Sequence, residues 1–117
     1  MRETRIKPIG ANTFWIHLER NPDGGLRGYA EGGILAQEIE FSSISKMILL
    51  LDTAMDTESG RPMAKPLAQR EPTFILEVLF RQNCSWQGRL IWPREGKEAS
   101  FRSVLELIVL IETTMAP

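Results

Sequence analysis

The sequence has a single cysteine, Cys84, among its 117 residues. One cysteine cannot form a disulfide within the chain, and it leaves no set of thiolates for a zinc site. We therefore expect a protein of a reducing, cytoplasmic setting that holds no metal and no other cofactor. The first residues lack the apolar stretch of a signal peptide, and the apolar run from Met47 to Leu51 is far too short to span a bilayer. We expect no membrane contact.

Neither sign of charge dominates the chain. The formal net charge is −1 and the sequence pI is about 5.9, so no overall field attracts it to DNA or to an acidic membrane. The two halves differ, because residues 1–60 carry six Lys/Arg against nine Asp/Glu, whereas residues 61–117 carry eight against six. An anionic partner is therefore better sought in the second half.

Residues for nucleophilic and acid–base catalysis are scarce. His17 is the only histidine, and no pair of carboxylates is placed to work with it or with Cys84. Gly24-Gly25 and Gly32-Gly33 lack the spacing of a phosphate-binding loop and are typical of turns. We expect no catalytic residues and no enzyme activity, with His17 on the solvated face of a strand.

The strongest pattern is an internal repeat. Sliding the chain by 60 residues aligns 13–56 with 73–116, and ten positions are then identical. This number exceeds the roughly two or three that chance would produce, and it indicates a tandem duplication. We interpret the chain as one domain made of repeat 1 (13–56), a Pro-containing linker (57–72) and repeat 2 (73–116). The identities include Gly28/Gly88, Phe41/Phe101, Ser43/Ser103 and Met55/Met115.

Each repeat has the same predicted layout. Alternating apolar residues open each unit, turn residues follow at 21–25 and 82–85, and a returning strand and a short third strand precede a helix. The prediction is an α+β fold: a three-stranded antiparallel meander plus a helix, repeated as βββα-βββα with pseudo-twofold symmetry and the helices packed on the sheet. The buried strand faces are expected to hold Phe14, Ile16 and Leu18, and Phe74, Leu76, Val78 and Phe80.

The helices carry start signals and apolar stripes. Ser103 with Glu106 three residues later fits a capping box, whereas Ser43 is followed by Lys46 at the matching position, which predicts a weaker cap. The stripes expected to face the sheet are Ile44, Ile48, Leu51 and Met55, and Val104, Ile108, Ile111 and Met115. Three apolar residues fall instead on the polar side of their helices, where a partner could cover them: Leu49, Leu105 and Val109.

The second hairpin is rich in aromatic and basic residues. Alternation places Trp86 and Trp92 on one face of its strand, with Gln87 and Arg89 on the other. The tryptophans belong either to the core, as most do, or to a platform that, with Arg81 nearby, stacks a base or anchors a protein.

The stretches RQNCSWQGRLIW and FRSVLELIVLIE resemble a module of short, uncharacterised bacterial proteins in which a WQG hairpin precedes an FRS-led helix. The resemblance covers residues 73–115 and implies no known activity. The layout of the units is also similar to PUR-repeat and Whirly single-stranded nucleic-acid binders, although the units here are one strand short and less basic.

Two functions remain open. One is a non-enzymatic binding or regulatory protein that contacts another protein or a second copy of itself through the helix backs and the Trp/Arg hairpin. The alternative is single-stranded nucleic-acid binding on the sheet face of the second repeat, which the acidic pI disfavours. The residues proposed for the alternative are Arg81, Trp86, Arg89, Trp92 and Arg102.

Overall fold

The computed structural model describes residues 12–35, 37–57, 71–82 and 85–115. Most of the predicted linker, residues 58–70, lies outside these ranges, as does Cys84. Three strands and a helix are followed by three strands and a helix. The elements are β1 (Thr13–Arg20), β2 (Leu26–Glu31), β3 (Ile39–Phe41), α1 (Ile44–Thr57), β4 (Phe74–Gln82), β5 (Ser85–Trp92), β6 (Lys97–Phe101) and α2 (Val104–Met115).

All six strands form one open antiparallel sheet in the order β3-β2-β1-β4-β5-β6. The two hairpins meet at its centre, where Thr13–Ile16 of β1 pair with Phe74–Glu77 of β4. Helix α1 contacts β2 and β3, and α2 contacts β5 and β6. The α+β class is therefore confirmed. No helix in the described ranges is long and apolar enough to cross a membrane.

The helices cover one face of the sheet, and the core lies between them and the strands. Alternation explains this, since Phe14 and Ile16 of β1 and Phe74 and Leu76 of β4 are buried on the same face. The opposite face, which we call the outer face, carries the intervening residues. A single core joins both halves of the chain.

A β-bulge in β4 overturns one expectation. The register between β4 and β5 shifts between Val78 and Phe80, so that Leu79 is the extra residue. Phe80 therefore pairs with Gln87 on the outer face and is 69% exposed, rather than sharing the buried face of Val78. Alternation alone does not reveal the bulge, because three consecutive apolar residues also occur at 74–76, where the register is regular.

Both helix starts have the predicted caps. The Ser103 hydroxyl accepts from the Glu106 amide at 3.0 Å, and the Glu106 carboxylate accepts from the Arg102 amide at 2.6 Å. Ser43 accepts from the Lys46 amide at 3.1 Å, but Lys46 has no carboxylate to return the bond. The reciprocal bond found at α2 is therefore missing at α1.

The buried stripes differ by one position from the prediction. Met47 on α1 and Leu107 on α2 are fully buried, whereas Ile48 and Ile108 are only partly buried. Leu51 and Ile111 are buried as expected. The residue before each predicted Ile therefore takes the buried position in the stripe.

Gly28 and Gly88 occupy the same place in the two hairpins. A Cβ atom on Gly28 would overlap the carbonyl oxygen of His17, and one on Gly88 would overlap that of Glu77. Phe101 pairs with Gly88, and its ring lies over it. Glycine at both positions therefore allows a close approach of backbone to backbone.

We expect Gly28→Ala and Gly88→Ala each to lower the free energy of unfolding by about 1–3 kcal/mol, because a neighbouring strand must move. Gly25→Ala is the matched control, since its Cβ would meet nothing closer than 3.4 Å. Urea unfolding followed by tryptophan fluorescence measures all three. Equal stability of Gly88→Ala and Gly25→Ala would contradict the close approach.

Candidate functional site

The outward side of α2 presents two large apolar side chains. Leu105 is 70% exposed and Val109 is 54% exposed. They lie four residues apart on the helix and therefore adjoin each other in space. Leu107 and Ile111 hold the other side of α2 on the sheet. The structure thus brings Leu105 and Val109 together in one surface, as the helical pattern predicts.

Helix α1 presents less apolar surface. Leu49 is 62% exposed, but the residue one turn before it is Ser45, at the position that corresponds to Leu105. Exposed polar residues, Lys46 and Thr53, flank Leu49. Leu49 is therefore a single exposed leucine of the kind that most protein surfaces carry.

Trp86 is a core residue rather than part of an exposed platform. It is fully buried under the helices, with 0% of its surface exposed. Its indole Nε1 donates to Asp52 Oδ1 of α1 at 3.0 Å. This bond satisfies the polar atom of a buried tryptophan and ties the tip of the second hairpin to the first helix.

Arg81 also connects the second hairpin to α1. Because of the bulge it pairs with Trp86 on the helix-covered face, and its Nη1 contacts Asp52 at 3.2 Å and Asp56 at 2.8 Å. The hydrogen bond to Asp56 contributes most to raising the pKa of Arg81, with further charge attraction from both carboxylates. Because two carboxylates of the chain already neutralise Arg81, it is a weak candidate for binding an anionic partner.

A matching connection joins the first hairpin to the second helix. Arg20 Nη2 donates to the carbonyl oxygen of Met115, at the end of α2, at 2.6 Å. Arg20 pairs with Leu26 as Arg81 pairs with Trp86. In each hairpin, one arginine therefore contacts the helix of the other half of the chain. The 60-residue alignment hides this relation because it matches Arg20 with Phe80.

Trp92 is also buried on the helix-covered face. Among the described residues its indole Nε1 has no hydrogen-bond partner. Of the two alternatives for the tryptophans, core or platform, both side chains take the core position, because the face on which they lie is the one that the helices cover.

The outer face of the second hairpin carries Gln87 and Arg89, as predicted. Gln87 is exposed. Arg89 is bonded by Nε to Glu77 at 2.8 Å and by Nη1 to Glu98 at 3.3 Å. The bond to Glu77 is the main cause that raises the pKa of Arg89. This arginine, like Arg81, lies between two carboxylates of its own chain.

Arg102 differs from the other arginines of the predicted site. It is exposed, it directly precedes the cap of α2, and its guanidinium makes no ion pair within the described part of the chain. It therefore belongs to the N-terminal end of α2 rather than to the second hairpin.

His17 is placed differently from its prediction. It lies on the outer face but is only 7% exposed, with Nε2 at 2.8 Å from Glu31 Oε2. Its ring stacks on Tyr29 with centroids 4.4 Å apart. A buried imidazole needs such partners, and the expectation of a solvated histidine was wrong. Within the described ranges no group of three or more His, Cys, Asp or Glu could hold a metal ion.

Comparison of the chain with protein-family models, with curated proteins and with solved structures found no match. The function is therefore inferred from the geometry of the chain itself.

We expect Asp52→Ala to destabilise the fold by about 1–2 kcal/mol, because it leaves the buried Trp86 indole without an acceptor. Asp56→Ala is the matched control: it removes the shorter contact to Arg81 from a side chain that is 61% exposed, and we expect a loss below about 1 kcal/mol. Asp52→Asn retains an acceptor and should restore most of the stability. Urea unfolding measures the free energy of unfolding of the three variants. An equal loss of stability in Asp52→Ala and Asp56→Ala would show that the hydrogen bond of the Trp86 indole contributes nothing.

Proposed function

We propose that this chain is a small, non-enzymatic binding or regulatory protein that contacts another protein chain through the outward side of α2, with Leu105 and Val109 at the centre of the contact. The observation that carries the proposal is the exposure of these two neighbouring side chains, 70% and 54%. Adjoining exposed apolar side chains, on a helix whose other side is already buried, are typical of a protein–protein contact and support this proposal.

The composition of α2 supports the proposal. Apolar residues predominate over positions 104–111 of this helix, since Val104, Leu105 and the run 107–111 are apolar and only Glu106 interrupts them. Such a run is wider than the single apolar stripe with which a helix packs on one sheet. Within one chain, however, α2 makes its main element contacts with β5 and β6 alone. Its remaining apolar side is suited to a contact between chains.

Nucleic-acid binding has weaker support than protein binding. Trp86 and Trp92, the aromatic residues proposed to stack bases, are buried, and Arg81 and Arg89 are each held by two carboxylates. Binding to single strands depends on free cationic side chains and exposed rings. The net charge of −1 adds no attraction for phosphates.

We propose that the chain arose by tandem duplication of a βββα unit, with a pseudo-twofold axis at the β1–β4 contact. The equivalent roles of Gly28 and Gly88 and of the two capping serines support this origin. The two helices now differ at this position: α2 has Leu105 where α1 has Ser45.

The proposal is tested with a photoreactive residue, benzoylphenylalanine, introduced at Val109 in cells of the organism that encodes the protein. We expect a covalent adduct with a second polypeptide on irradiation, because a docked chain lies within reach of position 109. The same residue at Ser100, exposed on β6, is the control and should form none. The mass of the adduct identifies the second chain.

Leu105→Glu in the same background should abolish the adduct while changing the free energy of unfolding by less than about 0.5 kcal/mol, since the side chain is exposed. Absence of an adduct at Val109, or an equal yield at Ser100, would rule out this function. Unfolding of Leu105→Glu would mean that Leu105 supports the fold.

A further inference from the structure

The outward side of α2 carries a short charged and apolar stripe. It consists of Leu105, Val109 and Glu112 on the helix and of Arg102 in the bend before it, all exposed. The three helical residues have the spacing by which helices present one seam to a partner helix, and Arg102 lies two residues before the first helical residue. Arg102 lies just before the capping Ser103, and Glu112 lies in the last turn of α2, so opposite charges flank the apolar pair.

The stripe is complementary to itself in one orientation. If a second α2 packs antiparallel about a twofold axis midway between Leu105 and Val109, Leu105 lies opposite Val109 of the second copy. The same symmetry places Arg102 opposite Glu112 of the second copy. Each of these contacts occurs twice, as a twofold interface requires. A parallel arrangement would place Arg102 against Arg102 and Glu112 against Glu112, which like charges oppose.

Both charges of the stripe are available for such a contact. Among the described residues, neither Arg102 nor Glu112 takes part in an ion pair. The nearby Glu106 carboxylate is already used, because it accepts from the backbone amide of Arg102 in the cap. The arginines of the second hairpin, Arg81 and Arg89, are in contrast fully paired within the chain.

Helix α1 cannot form the same contact. The residues equivalent to the stripe are Ser42, Ser45, Leu49 and Asp52. They include one apolar residue and no cation, and Asp52 is bonded to Trp86 and Arg81. The self-complementary pattern therefore belongs to α2 alone.

We propose that the occupant of the α2 surface is a second copy of this chain, packed as an antiparallel, twofold-symmetric pair of α2 helices. This inference rests on the proposed function and names its partner. Leu105 and Val109 form the apolar centre, and two Arg102–Glu112 pairs close its ends. A contact of about three helical turns is small among protein interfaces, so the dimer is weak and forms reversibly at concentrations on the order of 10–100 µM.

Charge reversal in the purified full chain tests this arrangement. Arg102→Glu puts two Glu–Glu contacts in the dimer and Glu112→Arg puts two Arg–Arg contacts in it. Each should therefore weaken self-association by about tenfold or more. Neither change weakens the helix itself, because an acidic residue before the N-terminus of α2 and a basic one in its last turn are both favourable to the helix dipole. Sedimentation velocity over a concentration series at low salt measures association.

The decisive sample is an equal mixture of the two single variants. In the mixed dimer the glutamate introduced at position 102 of one chain lies opposite the arginine introduced at position 112 of the other. The native Arg102 and the native Glu112 meet at the other end, so we expect association to return to nearly the wild-type strength. The double variant Arg102→Glu/Glu112→Arg should also self-associate, because each end again joins opposite charges.

Two further variants serve as controls. Arg27→Glu is the control for net charge, since it changes the charge by the same amount as Arg102→Glu at an exposed site on the first hairpin. Leu49→Glu is the control for an apolar-to-acidic change on α1. Both controls should dimerise as the wild-type chain does.

Three results would overturn the inference: a wild-type chain that remains monomeric at about 1 mM, single variants that associate as wild type does, or a mixture that stays monomeric. An adduct at Val109 with a chain of different mass would then leave the proposed function intact and replace the second copy as partner. A monomer without any adduct would overturn both.

Discussion

The pairing of β1 with β4 is the constraint on which the rest of the structure depends. This central ladder is short, since it pairs Thr13–Ile16 with Phe74–Glu77. It nevertheless joins two three-stranded meanders into one six-stranded sheet. Because side chains alternate along each strand, the register brings the apolar faces of both units to the same side. Both helices must then lie on that side, and their opposite sides face outward. The exposure of the α2 stripe is therefore a consequence of the central register.

Two arginines stabilise this arrangement across the centre of the molecule. Arg20 donates to the Met115 carbonyl oxygen at the end of α2, and Arg81 contacts Asp52 and Asp56 of α1. Arg20 acts at a helix C-terminus, where a cation also compensates the helix dipole. Arg81 and Trp86 together engage both aspartates of α1. The face of the second hairpin that holds its tryptophans is thus occupied by the fold, whereas Leu105 and Val109 on α2 stay exposed.

Strand periodicity assigned some side chains of the second hairpin to the correct face of the sheet and others to the wrong face. Alternation separated Trp86 and Trp92 from Gln87 and Arg89, because a strand has a fixed period of two. Alternation could not predict which face the helices cover. The sequence alone therefore left two alternatives for the tryptophans, the core or an exposed platform. Phe80 was misplaced because one inserted residue reverses every later side chain on the strand. His17 was misplaced because its partner Glu31 is fourteen residues away on the neighbouring strand.

The amino-acid sequence by itself determined the local features of this protein: six strands, two capped helices, and the exposed positions Leu49, Leu105 and Val109. These follow from short-range periodicity and hydrogen bonding, which act over a few residues. Only the tertiary structure decided which arginines are neutralised, since Arg81 meets Asp52 and Asp56 through contacts more than twenty residues apart in the chain. Arg102 remained unpaired for the same reason: no carboxylate of the other described elements folds against it.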